Sequence, residues 1–120
     1  MKHHYLLTLL VPLLVISCND EPQVAQLTFP VELQKNERYT YNTEIGGDEE
    51  GVSIVTQANH FEISEIIRDQ STGFVAVYEY QPAVDFVGSD WVELRLETGS
   101  DGMSIPVEAT LVRINFNISE

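Results

Sequence analysis

Trp91-Val92-Glu93-Leu94-Arg95-Leu96-Glu97 decides the fold class. Apolar and polar residues alternate one for one, the period of a β-strand, whose successive side chains point to opposite faces. Val92, Leu94 and Leu96 share one face; Trp91, Glu93, Arg95 and Glu97 share the other. A helix, turning every 3.6 residues, would scatter these apolar positions around its axis. The segment therefore reads as a strand with one face against a core and the other toward water.

The same logic extends in both directions. Phe74 to Tyr80 reads as a strand with Phe74, Tyr78 and Tyr80 on an aromatic face, Ala76 between them, and Pro82 closing it. Ala83 to Asp90 is an irregular link, with Phe86 packed inward and Gly88 at a bend. Val107 to Ile118 is the last and longest strand, with Val112, Ile114, Phe116 and Ile118 facing inward. Upstream, Gln23–Phe29 makes a first strand that Pro30 breaks or places at an edge, since proline lacks the N–H a ladder needs. Glu37–Ile45 alternates, with Tyr39, Tyr41 and Thr43 on one face; Val52–Thr56 and the run marked by Phe61, Ile63, Ile66 and Ile67 follow. Between them Gly46–Gly51, Asp69–Gly73 and Thr98–Gly102 carry the glycines and short polar side chains of turns. About seven short strands without a helix of useful length predict an all-β sandwich over residues 23–120.

The chain opens differently. Lys2 precedes Tyr5–Ile16, an uncharged and mostly apolar run, and Ser17-Cys18 is followed at once by the polar Asn19-Asp20-Glu21. A charged start, an apolar centre and a small residue before a boundary are the parts of an export signal. The run falls short of the roughly 20 apolar residues of a membrane-spanning helix. It resembles a bacterial lipoprotein signal peptide, with Val15 where that family most often has leucine. The resemblance implies that residues 1–17 are removed, that Cys18 becomes a lipid-carrying N-terminus, and that residues 18–22 form a short tether. It also implies attachment to the cell envelope, with the outer membrane expected; the acidic Asp20-Glu21 beside the anchor is compatible with surface display.

The remaining 103 residues suit one small domain. They hold all 19 acidic residues but only five of the six basic ones, a net charge near −14. Such a surface repels nucleic acid and anionic lipid headgroups, so the membrane is expected as a partner through the lipid on Cys18 alone. Cys18 is the only cysteine, so no disulfide is expected within the chain and stability rests on the core.

Tyr80-Gln81-Pro82, Asp85-Phe86, Gly88-Ser89-Asp90, the alternating Val92/Leu94/Leu96, Asp101-Gly102 and Val112–Ile118 follow one another in an order and spacing that resemble bacterial immunoglobulin-like and cadherin-like extracellular domains. The match covers about a third of the chain. It implies an immunoglobulin-like sandwich in which Tyr80 and Phe86 plug the core. Asp90 is placed to cap backbone N–H groups where a strand begins.

Few residues carry chemistry. The domain keeps one histidine, His60, and no serine elbow, glycine-rich phosphate loop or His-Glu-x-x-His helix. No enzyme activity, cofactor or zinc site is expected, since zinc requires several nitrogen or sulfur ligands. Some cadherin-like domains bind calcium, which makes Asp85, Asp90 and Asp101 calcium candidates. Calcium needs six to eight converging oxygens, and these residues read more simply as polar turns on which calcium and magnesium act alike. Trp91, sent outward by the alternation, is the candidate contact residue for a protein or glycan partner, with Tyr39 and Tyr41 behind it. The expected function is a lipid-anchored, noncatalytic binding or interaction module of the envelope. The alternative is a structural accessory subunit of a secretion, adhesion or polysaccharide-uptake assembly.

Overall fold

A computed structural model describes residues 24–98 and 108–120. Seven strands occur among them: β1 (Ala25–Gln34), β2 (Tyr39–Asn42), β3 (Gly51–Thr56), β4 (Phe61–Ile67), β5 (Val77–Pro82), β6 (Gly88–Thr98) and β7 (Glu108–Ser119). They form a four-stranded sheet in the order β1-β7-β6-β3 and a three-stranded sheet in the order β2-β5-β4. All pairings are antiparallel except β1 with β7, which run parallel. The result is a seven-strand, all-β sandwich, with its first strand on the sheet that holds the last.

The core lies between the two sheets. The inward residues of β6 and β7 (Val92, Leu94, Val112, Ile114, Phe116 and Ile118) are buried, as are Tyr78 and Tyr80 from β5. Tyr80 stacks flat on Phe116 across the interlayer space, with ring centroids 3.8 Å apart, and Tyr39 meets Phe116 edge-on at 5.7 Å. Phe86, from the link before β6, packs against this cluster, and Gly88 there adopts φ 145°, where a Cβ would lie 3.1 Å from the Phe86 ring.

Both prolines fall where the sequence places them, and Phe74 is a correction. Of the two outcomes expected at Pro30, the edge holds: β1 runs through it without interruption as an edge strand, where a missing N–H needs no partner. Pro82 is the last residue of β5, paired with Phe61, and closes that strand as expected. Phe74 belongs neither to β5 nor to its aromatic face. The 3₁₀ turn Gln70–Thr72 is closed by Gly73 in the left-handed region, and Phe74 follows at φ 62°, which turns its side chain out of the sandwich and leaves it 61% exposed. The alternation that predicted its burial starts only after that turn.

Candidate functional site

The outward face of β6 and β7 carries the candidate surface. Trp91 points away from the core because Val92 and Asp90 on either side point into it. Antiparallel pairing sets Trp91 opposite Asn115 and Glu93 opposite Arg113. Arg113 lies over the Trp91 ring, its guanidinium carbon 3.9 Å from the ring centroid, and its Nε donates to Asn115 Oδ1 at 3.0 Å. A guanidinium on an indole face contributes about 0.5–1 kcal/mol where exposed, and here it also holds the ring in one orientation. Along the same face Arg95 Nε donates to Glu97 Oε1 at 2.7 Å, and Asn117 Nδ2 to Glu32 of β1 at 3.1 Å. The result is a flat array of planar polar groups around one half-buried aromatic ring. It is suited to stacking and hydrogen bonding.

Tyr39 and Tyr41 do not share that surface. They are half-buried on the inner face of β2 and pack against the core, Tyr41 lying 5.6 Å from the Phe29 ring. Burial raises both phenol pKa values above the ordinary one, each with a smaller contribution from a neighbour, Tyr41 for Tyr39 and Glu44 for Tyr41. The strand period that grouped them with Thr43 was read correctly; the face they occupy is the inner one.

Asp90 is buried, and its carboxylate is fully engaged. Oδ1 accepts from the backbone N–H groups of Asn59 and Trp91, each at 2.9 Å; Oδ2 accepts from the His60 N–H and the Tyr80 hydroxyl, also at 2.9 Å. Asp90 is the third residue of β6, so it caps N–H groups of the β3–β4 connection rather than the start of its own strand, and it ties that connection and the second sheet to β6. A parallel network joins Ser64 Oγ to the Tyr78 hydroxyl at 2.7 Å and to Gln57 Oε1. Burial raises the pKa values of Tyr78 and Tyr80 well above the phenol range. The Ser64 hydrogen bond opposes the shift at Tyr78; the Asp90 carboxylate adds to both.

Asp85 is exposed in the β5–β6 link at φ 61° and forms a clasp with Asn36: its N–H donates to Asn36 Oδ1 at 3.0 Å, and Asn36 Nδ2 donates back at 3.3 Å. Asp101 and Cys18 lie outside the described residues. Among the described residues no three His, Cys, Asp or Glu side chains gather as metal ligands would. His60 is exposed, and its ring stacks on Phe86 with centroids 4.3 Å apart.

Arg113 is the surface residue that reading the sequence missed. Its partnership with Trp91 depends on the β6–β7 register, which turn lengths alone do not supply. Arg68 is a second: its three nitrogens donate to the carbonyls of Phe74, Glu50 and Gly47, each at 2.8 Å, fastening two loops together.

No protein-family model matches the chain, and no curated protein does. A solved structure it resembles distantly is an endo-fucoidan hydrolase from glycoside hydrolase family 107, at 14% identity and a TM-score of 0.45. The alignment covers 83% of this chain but only 13% of the hydrolase, so the likeness is to a small part of a much larger protein.

Proposed function

We infer that the protein is a lipid-anchored, noncatalytic binding module of the bacterial envelope, held to the outer membrane through Cys18. It contacts a protein or glycan partner through the outer face of β6 and β7. The anchoring half of this reading is supported by the apolar run ending in Ser17-Cys18. The binding half is carried by one observation: Trp91 stands on a solvent-facing sheet surface under a stacked arginine, among hydrogen-bonding side chains. Aromatic and arginine residues are the types that most often dominate binding energy at interfaces.

Intact mass of the membrane-extracted protein tests the anchor: a chain beginning at an acylated Cys18 is expected, and an unmodified start elsewhere refutes it. A photo-crosslinking residue at position 93, on the Trp91 face, tests the surface in intact envelope. It should give a discrete adduct that Trp91→Ala abolishes, while the same residue at position 65, on the other sheet, gives none. Equal adducts from both faces would rule out this surface.

A further inference from the structure

We propose that Phe74, at the end of the sandwich where β1 begins, dips into the interface of a zwitterionic lipid bilayer and seats the anchored domain upright; this rests on attachment through the N-terminal side.

The topology fixes which end faces the anchor. Ala25 at the start of β1 pairs with Thr110, Thr110 with Leu96, and Leu96 with Val52, one row across the four-stranded sheet. The β2–β3 connection enters at that row, and Arg68 binds its Gly47 and Glu50 carbonyls together with that of Phe74. The start of β1, the 43–50 loop and the 68–76 loop therefore lie at one end. From Cys18 to Val24 the chain spans at most ~20 Å even when extended. The 11 residues of β6 alone rise ~37 Å. A tether that short holds the Phe74 end near the bilayer. The opposite end, with Phe61, Val84 and Val87 exposed, reaches it only if the domain lies flat.

Among the described residues, the exposed large apolar ones at the near end are Phe74, Val24 and Leu27, Phe74 the most exposed of the three. The Phe74 loop is braced: its N–H donates to the Asp69 carbonyl at 2.8 Å, and its own carbonyl is held by Arg68. The ring therefore projects from a fixed backbone. Glu44, Asp48 and Glu49, all exposed on the adjoining loop, are repelled by anionic headgroups, which selects a zwitterionic surface. One phenylalanine binds lipid too weakly to recruit a free protein. Tethered, it faces a high effective concentration of bilayer, and the contact becomes intramolecular.

The test uses the protein purified from membranes with its own anchor and reconstituted into phosphatidylcholine vesicles containing acyl-brominated lipid. In a Trp91→Phe background, Phe74→Trp and Val84→Trp place one tryptophan at either end. An interfacial side chain sits about 5–10 Å into the boundary region, so quenching of about twofold is expected at position 74 and almost none at position 84. No quenching at 74, or equal quenching at both ends, overturns the proposal. Hydrogen exchange at residues 73–75 in the unaltered protein reads the same contact without substitution; slowing on vesicles is expected, and an unchanged rate counts against it. Intact mass on the same sample reports the anchor separately. If Cys18 proves unmodified, that reading alone fails; the thiol is then coupled to a maleimide lipid and the quenching repeated.

Discussion

Asp90 shows how much one residue can hold. Four donors converge on its buried carboxylate, two from the β3–β4 connection, one from its own strand and one from the opposite sheet. Removing an ionic acceptor leaves those donors without a partner, each costing about 1–3 kcal/mol where water cannot reach. Asp90→Ala should therefore destabilise the domain by about 3 kcal/mol or more. Asp90→Asn, which keeps one acceptor oxygen, should cost less. Denaturant unfolding checks the order, and an Asp90→Ala protein as stable as the parent would show that water replaces the carboxylate. Although the strand itself begins at Gly88, that Asp90 accepts from backbone N–H groups was legible from its place before the alternating run Trp91–Glu97. Its bonds to Asn59, His60 and Tyr80 were not, because those partners lie 10 to 31 residues away and come together only when the sheets pack.

Among the strands, burial follows position in the sheet more than residue type. Leu94 in the central β6 is fully buried, whereas Leu27 near the start of edge strand β1 is 49% exposed. Leu94→Ala should cost about 2–5 kcal/mol, the transfer of the side chain plus the cavity it leaves. Leu27→Ala should fall within about 0.5 kcal/mol of the parent, as surface substitutions do. Thermal or denaturant melts of the two variants test the contrast, and similar losses would contradict the edge assignment of β1. The strict alternation of β6 and β7 made their inward faces readable without a structure. Short β2 was read with the right period and the wrong face for its tyrosines, since four residues of alternation do not say which side the second sheet covers.

The whole molecule should also respond to alkali through its tyrosines. Every tyrosine in the described residues has its pKa raised, first of all by burial. An unfolded chain ionises its phenols near pH 10. Above that pH the unfolded state binds fewer protons than the folded one, and stability falls as pH rises. The tyrosine contribution is thus fully present below about pH 10 and is lost above it. Tyrosinate absorbance should rise together with loss of the β-sheet circular dichroism signal. Ionisation of Tyr78 or Tyr80 in a still-folded protein would contradict their burial.

The amino-acid order by itself determined the class of fold, the count of strands, the inward faces of β6 and β7 and the acidic surface, because these depend on a two-residue period and on composition. Only the tertiary structure decided that β1 lies parallel to β7, that Arg113 covers Trp91, that Tyr39 and Tyr41 face inward and that Phe74 stands exposed. Each of these depends on which distant strand becomes a neighbour. That choice is made by the joint packing of two sheets, and no local window of the chain contains it.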